Sequence, residues 1–209
     1  MDHCCSHKRT ELEVLARQAS QRRVLVAVML INLAMFVLEF GAGVVAHSSA
    51  LQADAVDMLG DAVVYALSLY AVQRGARWEA GAALAKGLLI LAFFVFIVID
   101  IMAKMQHGVP PSSRLMLAFG ALALIANGAC LALLWRFRRL NLNMKSTFEC
   151  SRNDVISNVG VLVAAGAVAL SGSGWPDIVV GVVIALLFLR TALRVIGEAW
   201  PAWRHASAD

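Results

Sequence analysis

Six apolar runs constrain this chain more than any other feature. They cover residues 24–45, 49–72, 81–103, 115–134, 148–170 and 178–196, each 19–24 residues long. At a rise of about 1.5 Å per residue, such a run crosses a hydrocarbon core of about 30 Å. The breaks between them carry turn chemistry: "AHSS", "QRGARWE", "QHGVPPSSR", "RFRRLNLN" and "SGSGWPD". Hydrophobic residues make up 60% of the chain, against about 45–50% in soluble domains, and the excess has to face lipid. The chain therefore reads as an all-α membrane protein with six transmembrane helices.

Charge orients the bundle. Twelve of the 18 lysines and arginines lie in the leader, the second and fourth connections and the tail, whereas Lys104 and Arg114 lie at the opposite face. The positive-inside rule then places both termini in the cytoplasm of a multi-pass inner (plasma) membrane protein. The same clustering accounts for the net charge of +4 without a nucleic-acid partner. A cytoplasmic segment 1–23, a membrane domain 24–198 and a short cytoplasmic tail 199–209 follow. The leader is too long for a signal-peptide n-region, and Cys4, Cys5, Cys130 and Cys150 do not form a secreted disulfide framework.

Within the second run, "ALQADAVDMLGDAV" carries Asp54, Asp57 and Asp61. Helical residues advance about 100° each, so Asp57 and Asp61 lie about 40° apart, Asp54 lies about 20° from Asp61, and all three share one stripe about 60° wide. A carboxylate at the bilayer centre costs about 2.5–3.5 kcal/mol on the mildest scale, so the stripe must face the bundle interior or a water-filled cavity. Pairing with Lys86 and Arg152 is one way to hold these charges. A divalent ion or exchangeable protons are another, and the i, i+4 pair Asp57/Asp61 favours a metal.

A second constellation stands in "FECSRNDVISNVG", where Cys150 and Asp154 repeat the i, i+4 spacing beside Glu149, Asn153 and Asn158. Two helices that each present such a pair can build a four-coordinate site. Asp57, Asp61, Cys150 and Asp154 would offer three oxygens and one sulfur, which suits zinc or cadmium and suits magnesium or calcium poorly. The metal itself would favour the thiolate. Taken alone, Cys150 also fits a small buried apolar residue.

These residues resemble the cation diffusion facilitator family of metal/proton antiporters across essentially all six spans. "HSSALQADAVDMLGDAV" is similar to the family's S-x-A-L-x-A-D-A-x-[HD]-x-x-x-D, and "LNMKSTFECSRNDVISNVGV" to its N-x-x-x-A-x-x-H-x-x-x-D-x-x-x-x-V-G-V. Glu39 and Gly43 fit its E-x-x-x-G, "RWEAG" its R-x-E, Asn127 its fourth-span asparagine and "WPDIVVG", with Asp177, its sixth-span opening. The resemblance implies metal ligands at Asp57, Asp61 and Asp154. Cys150 stands where the family usually has histidine, which moves the site toward softer ions. Manganese, iron and cobalt carriers also belong to the family. Asp54 and Glu39 are left as supporting or proton-coupling groups, and a homodimer is expected. Family members usually end in a cytoplasmic metal-binding domain; here only about a dozen residues follow the sixth span.

The leader also holds "DHCCSH", in which His3, Cys4, Cys5 and His7 could capture a soft metal or could form an idle tail. Taken together, these features predict proton-driven, alternating-access efflux of a zinc-like or cadmium-like divalent cation. The ligands are that ion and protons, with no resident cofactor. The alternative is a membrane-embedded metal-binding regulatory subunit that does not transport. No catalytic residue is expected: the G-x-G-D of intramembrane aspartyl proteases is absent, and two aspartates on one helix cannot form their dyad. Cys130 and the methionines read as packing, Trp175 and Trp200 as interfacial residues, and His47 and His107 as solvated loop positions.

Overall fold

The computed structural model describes residues 2–70, 76–107, 110–139 and 142–205; side chains of residues 2–18, and those of Lys86, His107 and a few others, lie outside that description. Six helices follow in order: α1 (Asp2–Ala46), α2 (Ser49–Tyr70), α3 (Ala76–His107), α4 (Ser113–Trp135), α5 (Leu142–Ser171) and α6 (Trp175–His205). No strand occurs among the described residues. Five of these helices are long and apolar enough to cross a membrane: Ala19–Ala46, Ala83–Gln106, Ser113–Trp135, Thr147–Ser171 and Trp175–Pro201. The sixth is α2, whose 22 residues include the three aspartates.

Most helices overrun their apolar runs. α5 starts six residues before position 148 and α3 continues to His107. The flanks "LNMKST" and "KMQH" contain no glycine or proline, so the backbone stays helical where the side chains turn polar. On the outside, Leu30, Val37, Val45, Ile125, Val163 and Leu170 are exposed, an apolar exterior suited to lipid. The chain is a multi-pass membrane protein.

Helices α1, α2, α4 and α5 pack around one another, and α3 lies chiefly along α6. The connections α1–α2, α3–α4 and α5–α6 gather at one end, here called the short-turn end, where Ser112 N donates to Ala46 O at 2.9 Å. The main core joins Leu51 and Val56 of α2 to Ile90 and Ile97 of α3, Val161 of α5, and Ile184 and Phe188 of α6. A second core, toward the end that carries the termini, holds Leu25, Val28, Tyr65, Cys130, Leu134 and Met144. Cys130 is thus a packing residue.

Lipid supplies no hydrophobic drive between helices, so close approach relies on small residues. Gly181 of α6 meets the start of α2, where a Cβ would lie 3.0 Å from Ser49 C and 3.1 Å from Ala50 N. Gly43 of α1 meets the same helix, with Gln52 N at 3.0 Å. Both obstacles include backbone, which cannot rotate away. Gly181→Ala should therefore lower thermal stability clearly, whereas Gly166→Ala, with nothing within 4 Å of the added Cβ, should leave it level or raised. Unfolding temperatures of the two detergent-solubilised variants check this ordering, and equal values would contradict it.

Candidate metal centre

α2 and α5 bring the two i, i+4 pairs to one space. A cavity of about 480 Å³ is lined by Asp57, Gly60 and Asp61 of α2, and by Cys150, Asn153 and Asp154 of α5. α6 closes it with Ile184, Phe188, Arg190, Thr191 and Arg194, and α3 contributes Ile90. Asp61 and Asp154 are buried, while Asp57 and Cys150 are half-buried. Asp61 accepts a hydrogen bond from Tyr65 Oη at 2.6 Å. Oδ2 of Asp154 has no hydrogen-bond partner although it is buried. An unmatched carboxylate oxygen of this kind is a strong acceptor awaiting a cation or proton. The four side chains line one wall system, yet among the described residues no three His, Cys, Asp or Glu groups converge closely enough to hold an ion.

Asp54 parts company with its two neighbours. It does not line the cavity. Instead it accepts a short hydrogen bond from Asn158 Nδ2 of α5, and Asn158 Oδ1 accepts from Asn127 Nδ2 of α4 at 3.1 Å. Its partner is therefore an amide and not Arg152, which is exposed. Lys86, the other basic candidate, has its side chain outside the described set, as do His3, Cys4, Cys5 and His7.

Two polar clamps close the short-turn end. The buried carboxylate of Asp177, on α6, receives Ser48 Oγ at 2.6 Å, Ser49 N at 2.8 Å and Ala50 N at 3.1 Å. Ser48 Oγ in turn accepts Leu51 N at 3.1 Å. Together Ser48 and Asp177 cap α2, placing an anion at the positive end of its dipole. The second clamp is on α3, where Lys104 pairs with Asp100 and donates to Ser49 Oγ at 2.8 Å. Asp100 also accepts Ser49 Oγ at 2.9 Å and Gln52 Nε2 at 3.4 Å. Each clamp ties the α3–α6 pair to α2. Asp177→Ala would leave two buried N–H groups unmatched and should cost about 3 kcal/mol, measurable as earlier unfolding in denaturant. A variant as stable as the parent would contradict the clamp.

Some of these groups are not obvious from the sequence. Tyr65 stands one turn from Asp61, a spacing that could have flagged it. Arg190, Thr191 and Arg194 have no such signal, because nothing local says which face of α6 meets the cavity. His47 is exposed, with a positive φ of 53° where the chain reverses before α2.

Among the described residues, six helices form a bundle that holds a cavity lined by carboxylates. The family model described as the cation efflux transmembrane domain matches residues 25–201, and the chain belongs to that family, the cation diffusion facilitators. Over 178 residues it is 28% identical to the metal cation efflux system protein CzcD of Cupriavidus metallidurans, covering 76% of this chain and 56% of that protein. Zinc transporter ZitB of Escherichia coli is 26% identical over 212 residues, 95% of this chain and 66% of ZitB. The cadmium, cobalt and zinc/H(+)-K(+) antiporter of Bacillus subtilis is 23% identical over 199 residues, 87% of this chain and 63% of the relative. The chain thus spans about three fifths of the length of these curated relatives.

Proposed function

We propose that this chain exports a divalent cation of the zinc or cadmium type across the inner membrane in exchange for protons, by alternating access. The observation that carries the reading is the shared cavity: Asp57 and Asp61 on α2 face the same space as Cys150 and Asp154 on α5. Relatives named for zinc, cadmium and cobalt efflux support it. Three carboxylates and a thiolate would offer four anionic donors to a dication, and the sulfur favours borderline and soft ions.

Protons and metal then compete for the same groups. Metal binding requires deprotonated ligands, so entry of the ion releases protons and a rise in proton concentration releases the ion. With the termini in the cytoplasm, the clamps formed by Asp177 and by Asp100/Lys104 lie on the outer side. The cavity wall runs the other way, to the exposed Arg190 and Arg194. That asymmetry fits a state closed to the outside. The outward state would need the α3–α6 pair to release α2 at the clamps and close over the cavity. The homodimer and the capture of metal by His3, Cys4, Cys5 and His7 belong to the same proposal.

The test is reconstitution of the full chain in liposomes with an imposed pH gradient, with zinc and cadmium offered separately. Metal should accumulate on the acidic side, with counterflow of protons. Tight binding of either ion without flux of any divalent cation would overturn the reading in favour of a non-transporting metal-binding subunit.

A further inference from the structure

Two arginines line a cavity built of carboxylates, and charge alone makes that unexpected. Arg190 and Arg194 stand one turn apart on α6, inside the membrane-spanning segment Trp175–Pro201, and both are exposed. Leu186, Leu187 and Leu193 are exposed around them on the same helix, an exterior that faces acyl chains. A charged side chain within a span is costly unless an anion or water meets it. Among the described residues, neither guanidinium enters a hydrogen bond or an ion pair. Other arginines toward the end that carries the termini are engaged. The guanidinium carbon of Arg138 lies 3.9 Å from the ring centre of Trp135, and that of Arg204 lies 5.3 Å from Trp200.

Depth narrows what the missing anion is. Asp177 of α6 and Ala50 N of α2 meet at 3.1 Å, which sets a common height for the two helices. Counting about 1.5 Å per residue from that contact, Asp57 and Asp61 lie about 11 and 17 Å into the membrane, and Arg190 and Arg194 about 20 and 26 Å. The arginines thus stand beyond the carboxylates, close to the far boundary of a hydrocarbon core about 30 Å thick. Their stems are long enough to carry the charge to that boundary. This is the level of the phosphate groups in the leaflet nearest the termini.

We propose that Arg190 and Arg194 bind the phosphate of an anionic phospholipid at the mouth of the cavity. A guanidinium fork matches phosphate oxygens bidentately, and two forks one turn apart can grip a single phosphodiester. The exposed leucines beside them continue the site as a track for the acyl chains. A soluble anion would have to leave water for a place where lipid already resides, so the geometry favours the lipid. The bound headgroup cancels positive charge that otherwise opposes a dication on its way to Asp57 and Asp61. That last effect rests on the reading of the cavity as the path of the metal; the lipid site does not.

Native mass spectrometry of the detergent-solubilised full chain gives a readout independent of transport. The parent should retain phosphatidylglycerol at least about fivefold better than Arg190→Gln/Arg194→Gln, the scale expected for one basic residue near an anionic leaflet. The single variant Arg190→Gln, a smaller disturbance of the fold, should lose part of that retention. Phosphatidylcholine, whose phosphate carries its own counter-charge, should show no such difference. Arg204→Gln, at the same end but stacked on Trp200, should bind like the parent. In vesicles, adding phosphatidylglycerol to phosphatidylcholine should raise zinc flux at limiting zinc at least about threefold more in the parent than in the double variant. Equal retention of phosphatidylglycerol by the parent and by the folded Arg190 and Arg194 variants would overturn the proposal. An equal loss in Arg204→Gln would remove the site from the cavity mouth. Displacement of the lipid by inorganic phosphate would make the occupant a soluble anion, also against the proposal. Lipid retained as expected, with no zinc flux in either vesicle, would uphold the lipid site and defeat the transport reading alone.

Discussion

Asp154→Asn should abolish metal transport while leaving the fold intact. Asparagine keeps the volume of the buried side chain, so the packing of α5 against α2 is preserved. What disappears is one of three carboxylates facing the 480 Å³ cavity, and the one with an unmatched buried oxygen. Removal of groups that merely orient ligands costs about 10–100-fold in metal affinity. Loss of a charged ligand should therefore cost at least about 100-fold in flux at limiting zinc. Stability of the metal-free protein should move the other way or stay level, because a like charge has been taken from beside Asp57 and Asp61. Opposite responses of flux and stability distinguish a ligand from a structural residue. A variant that transports at the parental rate would remove Asp154 from the site.

Cys150→His should change which ion is carried more than how fast. Among the described residues, Cys150 carries the only sulfur that lines the cavity, and sulfur favours cadmium over zinc more than imidazole does. The ratio of cadmium to zinc transport should fall at least about tenfold, equivalent to about 1.4 kcal/mol of relative affinity. Zinc transport should be retained, because the histidine nitrogen is a good zinc ligand. Competition between the two ions in the same liposomes measures the ratio directly. An unchanged ratio would mean that Cys150 lines the cavity without binding the cargo.

Much of this architecture could be read from residue spacing, for physical reasons that also mark where such reading stops. Membrane-length apolar runs are imposed by the thickness of the hydrocarbon core, so the spans between 24 and 196 were legible. Their ends were not, because helical hydrogen bonding continues through polar flanks such as 142–147, where only the side chains sense the change of surroundings. The i, i+4 spacing of Asp57/Asp61 and Cys150/Asp154 suggests a four-coordinate site; all four line the cavity, but among the described residues no three such groups converge closely enough to hold an ion. Angular position alone could not separate Asp54 from Asp61, only about 20° apart on the helix wheel. The two lie about 10 Å apart along the axis, and their different depths meet Asn158 in one case and Tyr65 in the other. Asp177 capping α2 across 128 residues is a tertiary fact that no local pattern contains.

The central claim is that the transported ion sits among Asp57, Asp61, Cys150 and Asp154. X-ray absorption at the metal edge of the zinc- or cadmium-loaded full chain tests it most directly, because it counts sulfur neighbours of the bound ion. One sulfur, with oxygen for the remaining ligands, is predicted for the cavity-bound ion. That signal should survive joint replacement of Cys4 and Cys5 by serine and disappear in Cys150→Ser. A sulfur shell that persists in Cys150→Ser, or that is lost when Cys4 and Cys5 are replaced, would place the ion elsewhere and contradict the account.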